Sequence, residues 1–281
     1  MNKNVIFFIL SFSFFSVAFA QKEIDKDSTQ ANYLIIAPEF TYHKAIDNLI
    51  SPLLYKGSMA GIKLGYESTN NKRKYGFTLD GNLGLLKANT DYYEFSATQV
   101  NSELNVFYKL RMNKNSSKFS LYAGFETRFR MFFHYNPNLM NAALNLTSVY
   151  SNGLVASIHK DWFKKGKNNK IWFIKINTRD RYLKTSFELG LPILFANLRQ
   201  PVSTISDFSD GQNLWSVESY SHVQFNKAFA MNTKTSIDYI LHNGNALRFS
   251  YLWNIYKFED AGYKYQSAYH MIVFSLLVKL N

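Results

Sequence analysis

A hydrophobic pattern of period two, repeated along most of the chain, constrains the fold more than any other feature of this sequence. In residues 246–257 the odd positions carry Leu247, Phe249, Tyr251, Trp253 and Ile255, while Arg248, Ser250 and Asn254 fall between them. Side chains two apart share one face of a strand, whereas a helical reading from Leu247 gathers Ser250, Tyr251 and Asn254 and no apolar stripe. The same alternation sets Ile62, Leu64 and Tyr66 against Lys63, Gly65 and Glu67, and Leu104, Val106, Tyr108 and Leu110 against Glu103, Asn105, Lys109 and Arg111. It recurs in Phe119, Leu121, Phe125 and Phe129, and in Ile272, Phe274, Leu276, Val278 and Leu280. The chain is therefore expected to be all-β.

Twelve such segments fall near 32–43, 58–68, 74–86, 94–112, 118–133, 148–162, 170–179, 182–195, 213–226, 230–241, 245–258 and 265–281. Many run to about 10–16 residues against a common strand length of five or six, and a tilted strand needs about 9–11 to cross a bilayer. Compact polar connectors at 70–73, 113–117, 164–169 and 242–245, the last containing Asn243-Gly244, alternate with longer stretches near 44–57, 87–93, 134–147 and 259–264. With 47% hydrophobic residues the chain is too apolar for disorder, and without cysteine it can form no disulfide, thiolate metal site or cysteine nucleophile. The first 20 residues read as a signal peptide: Lys3, then an apolar run over 5–15, then the small-x-small site Ala18-Phe19-Ala20. Residues 21–31 read as a flexible lead-in, and 32–281 as the folded unit.

Long alternating strands with short turns on one side and longer loops on the other resemble the bacterial outer-membrane β-barrel proteins. The resemblance implies an antiparallel transmembrane β-barrel, here of twelve strands, with short periplasmic turns and longer extracellular loops. It implies outer-membrane lipid, and the barrel-assembly machinery during biogenesis, as partners. Many members of this class end on an aromatic residue; this chain ends Lys279-Leu280-Asn281. Twelve strands leave 196–212 as a long periplasmic connection. Merging 171–195 into one strand moves it outside but gives an odd count. A soluble exported β-sandwich is the architectural rival.

In a membrane barrel the apolar stripe meets lipid and the polar stripe lines the lumen. The expected lumen face carries Glu39, Glu67, Asp80, Glu103, Glu126, Asp161, Glu188, Glu218 and Asp238, with His43 and His222. Its bases are Lys63, Lys109, Arg111, Arg128, Arg130, Lys175, Arg179, Lys184, Lys234 and Arg248. Near-neutrality argues for ion pairs across a narrow or obstructed interior rather than a strongly ion-selective wall.

Much of the formal net charge of +12 sits in the short connectors: Lys72, Arg73, Lys74, Lys114, Lys118, Lys164, Lys165, Lys167 and Lys170. These read as solvated turns or as a basic rim for anionic headgroups. No nucleic-acid motif accompanies them. Tyr92, Tyr93, Trp162, Trp172, Trp215, Trp253 and Tyr256 stand near expected strand ends, as interfacial girdle residues do. Ser157, His159 and Asp161 share one strand face, but neighbours two apart are separated by about 6.6 Å along a strand, beyond hydrogen-bond reach unless they lean together. His43 could share the upper lumen with Glu39. No metal, cofactor or phosphate-loop motif occurs. Three functions remain open: a narrow channel or small-solute uptake protein, a structural component presenting surface loops, and a lipid-modifying hydrolase. The oligomeric state is not legible.

Overall fold

A computed structural model describes residues 30–48, 51–89, 94–113, 118–137, 144–164, 168–171, 174–177, 181–199, 221–223, 228–241, 243–260 and 263–280. The strands are β1 (Ala31–Asp47), β2 (Ser51–Thr69), β3 (Arg73–Asn89), β4 (Glu94–Arg111), β5 (Ser120–Tyr135), β6 (Leu144–Lys164), β7 (Asn168–Ile171), β8 (Ile174–Asn177), β9 (Arg181–Arg199), β10 (Ser221–Val223), β11 (Ala228–Ile240), β12 (Ala246–Asp260) and β13 (Tyr263–Leu280). Antiparallel pairing runs β9-β11-β12-β13-β1-β2-β3-β4-β5-β6, and β6 pairs back onto β9. One sheet thus closes on itself, which removes the exposed edges an open sheet would carry and excludes the β-sandwich.

The barrel has ten strands rather than the expected twelve. β7 and β8 pair with each other in a separate two-stranded sheet, because β6 and β9 already pair directly from Thr147–Arg199 to Lys164–Arg181 and leave no edge between them. β10 pairs with the upper part of β9, on the edge that β11 occupies lower down, so it is no separate stave. Ten is even, so both ends of the barrel sequence lie at one end, here called lower. The connection from β9 to β10 then leaves from the upper end. β1 and β2 also reach Asp47 and start at Ser51, taking in most of the stretch expected to be a loop at 44–57. The signal-peptide and lead-in expectations fall on 1–29, outside the described residues.

Burial is inverted relative to a water-soluble sheet. Along β1, Leu34, Ile36, Phe40 and Tyr42 are exposed while Glu39, Thr41 and His43 are buried. On β3, Phe77, Leu79, Leu83 and Leu85 face out, and Asp80 and Asn82 face in.

Two irregularities stand out. β1 pairing with β13 lapses at Ala37 and Pro38 and resumes in the same register at Glu39; proline has no N–H to donate. Between β6 and β9 the register shifts at Asn152/Gly153, where Gly153 faces Pro192 and Asn152 faces Leu194. A Cβ on Gly153 would stand 2.4 Å from the Leu191 carbonyl oxygen, so only glycine lets the strands approach at this bulge.

At the lower end Asn70 closes a turn by accepting from the Lys72 and Arg73 amides at 2.9 and 2.7 Å. Gly244, with φ +81°, makes the turn between β11 and β12.

Candidate functional site

Inward-facing side chains fill the barrel in two polar clusters and an upper aromatic layer. In the upper polar cluster Lys63, Asp80, Glu103 and Arg130 stand in one cross-strand row over β2–β5. Lys63 Nζ lies 3.3 Å from Glu39 and 3.2 Å from Asp80, and Asn82 donates to Glu39 at 3.0 Å. Arg128 donates to Glu103 and Glu126, both at 2.8 Å, while Arg130 donates to Glu103 at 2.5 Å and to Asn232 at 2.8 Å. Asn232 donates to Glu126 at 3.3 Å, and the Tyr269 hydroxyl donates to Glu103 at 3.1 Å, tying the far wall in.

The lower polar cluster centres on Arg248. Its guanidinium donates to both oxygens of Asp238 at 2.7 and 2.8 Å and to both oxygens of Glu67 at 3.0 and 3.3 Å, a planar fork used twice. Lys74 Nζ lies 3.0 Å from Glu67, and Lys109 pairs with Glu188. Lys74 and Lys109 are direct cross-strand neighbours, and each is neutralised by its own carboxylate. The upper cluster holds four acids to three bases, the lower three acids to four bases once Lys234 is included. Among the described residues Lys234 has no carboxylate at ion-pair distance. It lines a chamber of about 60 Å³ together with Lys63, Glu67, Glu103, Lys109 and Arg248. That volume holds only a few waters.

Above the polar clusters the interior is aromatic. Phe132, Val149, Phe195, Tyr256, Phe258 and Tyr265 form one buried cluster, with ring centroids 6.0 Å apart for Phe132–Tyr265, 6.0 Å for Phe195–Tyr256 and 5.8 Å for Tyr256–Tyr265. His43 stacks on Phe132 at 6.5 Å beneath them.

The expected lumen residues Glu39, His43, Lys63, Glu67, Asp80, Glu103, Lys109, Glu126, Arg128, Arg130, Glu188, Lys234, Asp238 and Arg248 all take part in this interior. Arg111 donates to Asn113 at the lower end at 3.3 Å. Lys184 approaches Asp161 at 3.7 Å, but the Asp161 side chain is 73% exposed. Glu218 and Arg179 lie outside the described residues; His222 is placed only as backbone in β10, and Lys175 only in β8. Ser157 and His159 do lean together, with Oγ 3.0 Å from Nε2, yet Asp161 is turned away, so the three do not form a triad. His43 bonds Ser267 at 2.7 Å rather than Glu39.

Two sequence expectations are corrected. Lys74 belongs to the interior and not to a basic rim; its even position, shared with Asp80 and Asn82, carried that signal. Tyr256 is buried in the aromatic layer rather than in a girdle. Trp162 is exposed near the lower end, donating to Thr185 at 3.0 Å with Lys160 Nζ 3.6 Å above its ring. Trp253 stacks on His270. Tyr92, Tyr93, Trp172 and Trp215 lie outside the described residues.

Gly190 sets the packing of the upper polar cluster. A Cβ there would stand 2.1 Å from Glu126 Oε1. Gly190→Ala is expected to displace that carboxylate from Arg128 and Asn232 and cost about 1–3 kcal/mol, read as a lowered urea midpoint. Gly81→Ala, whose new atom would meet nothing nearer than 4.0 Å, should change stability by less than about 0.5 kcal/mol.

No protein-family model and no curated protein sequence matches this chain. Among solved structures it is similar to the toluene transporter TodX of Pseudomonas putida at 8% identity and TM-score 0.31, covering 89% of each chain. It is similar to the translocator domain of autotransporter NalP from Neisseria meningitidis at 10% identity and TM-score 0.30, covering 95% of this chain and 94% of that one. The β domain of the Bordetella autotransporter BrkA matches at 8% identity and TM-score 0.33, over 87% and 98%.

Proposed function

We propose that this protein is an integral barrel of the bacterial outer membrane that acts as a narrow, closed-at-rest channel for small solutes. The observation that carries the membrane placement is the inverted burial. Outward apolar positions on β1 run from Leu34 to Tyr42 and on β3 from Phe77 to Leu85, nine residues each. At about 3.3 Å per residue and a tilt near 40° such a band stands roughly 23 Å tall, close to the ~25 Å of known membrane barrels. In this placement the lower turns are periplasmic and the upper connections extracellular.

The passage is the chamber between the two polar clusters, and the aromatic layer is its closure. Across the two clusters together the acids and bases balance, which favours water and small polar solutes of either sign over a strongly selective flux. The filled interior favours a second reading, a structural barrel that presents its upper connections and conducts nothing.

Planar-bilayer recording of the refolded protein, with heat-modifiable gel mobility as the folding control, separates the two. The channel reading expects brief, small openings. A folded barrel that stays silent, both as wild type and after removal of the aromatic closure, leaves the structural reading.

A further inference from the structure

Three lysines far apart in sequence meet on the outer wall. Lys44 is paired in register with Lys56 across β1–β2, and Lys56 with Lys87 across β2–β3. All three face outward and are exposed. Strands about 4.8 Å apart put the Cα atoms of the three lysines within a span of about 10 Å, so their flexible side chains can converge on one bound group. Like charges directly opposite one another destabilise a sheet.

Little within the chain offsets this repulsion. Lys87 meets Glu94 at 2.6 Å in an exposed pair, which contributes little. Lys44 Nζ stands 5.7 Å over the Tyr42 ring. Among the described residues neither Lys44 nor Lys56 has a carboxylate partner.

The level of the row suggests its occupant. Lys44 and Lys87 each stand one outward position beyond the apolar band, above Tyr42 on β1 and Leu85 on β3. A bound molecule would meet three cations at the band's edge and an apolar wall of Phe40, Leu83 and Leu85 directly beneath. That combination fits a phosphorylated lipid, with phosphates on the ammonium groups and acyl chains along the wall. It does not fit a soluble anion, which has no use for the wall.

We propose that Lys44, Lys56 and Lys87 form a binding site for the phosphate groups of an outer-leaflet glycolipid. The assignment rests on the outer-membrane reading above, which puts the upper edge of the band in the outer leaflet.

Native mass spectrometry of the protein refolded in zwitterionic micelles tests it, using bisphosphorylated lipid A, its dephosphorylated form and phosphatidylglycerol as probes. Wild-type barrel is expected to retain bisphosphorylated lipid A. The variant carrying Lys44→Gln, Lys56→Gln and Lys87→Gln should bind it about tenfold more weakly or worse. Removing the phosphates from the lipid should weaken wild-type binding to a similar extent, and inorganic pyrophosphate alone should bind far more weakly than the lipid.

Equal retention by the triple variant, or equal binding of the dephosphorylated lipid, overturns the site while leaving the membrane reading intact. Preference for phosphatidylglycerol overturns the assigned occupant. A wild-type protein that folds in buffer but not in micelles overturns both the site and the membrane reading. The substitutions are on the exposed face, so heat-modifiable mobility should be unchanged and confirms that lost binding is not lost folding.

Discussion

Arg248→Met is expected to lower the folding stability of the barrel by about 3–5 kcal/mol, the usual cost of leaving buried charges without their partner. Among the described residues the guanidinium is the one cation that bridges Asp238 to Glu67, and it makes four of the lower cluster's hydrogen bonds. After the substitution Lys74 still serves Glu67, but among the described residues Asp238 is left without an ion-pair partner. Arg248→Lys should fall between the two, since an ammonium cannot reproduce the doubly bidentate fork. Equilibrium urea unfolding followed by gel mobility measures the loss. Lys257→Gln is the control: its pair with Glu259 at 3.7 Å is exposed on both sides and should be worth under about 1 kcal/mol. A loss at Arg248 as small as the control's would mean that lumen water screens the lower cluster as bulk solvent does.

The second large effect is on conductance. Phe132 and Tyr265 touch across the interior and hold the aromatic layer together with Tyr256 and Phe195. Phe132→Ala with Tyr265→Ala removes two rings from the layer above the chamber. Recordings should change from brief openings to steady steps. Each truncation of a buried ring costs about 3–5 kcal/mol, so folding must be verified by mobility, and Tyr265→Ala alone serves if the double variant does not fold. Phe125→Ala, on the outward face where Phe125 is 66% exposed, should leave conductance unchanged. Silence of the folded double variant would remove the aromatic layer as the closure and favour the structural reading.

Period-two alternation made the strands and their faces legible wherever one face was apolar and the other polar. Glu103, Arg128 and Arg130 could be assigned inward from their neighbours alone. The signal failed where both faces are apolar, as around Leu53, Leu54 and Tyr55, because an aromatic interior layer looks like a loop-rich or undecided stretch. It also failed at β7 and β8, since a separate strand pair alternates in the same way as a barrel stave. Which acid meets which base was beyond reach. Arg248 and Glu67 are 181 positions apart and Tyr269 and Glu103 are 166 apart, so their meeting depends on how the closed sheet is staggered. The same holds for the Lys44–Lys56–Lys87 row, which exists only in the pairing register.

The lapse at Pro38 bears on the order in which the barrel assembles. Among the described barrel strands, every neighbouring pair is consecutive in sequence except β1 with β13, which joins the two ends of the fold. Hairpins can zip locally within microseconds, but this one contact must close a loop of nearly the whole chain before its hydrogen bonds repay the lost entropy. It is also the pairing in which Ala37 and Pro38 contribute no partners. The seam is therefore expected to be the last ladder to form, so until it closes the assembling chain is a sheet with β1 and β13 at its edges.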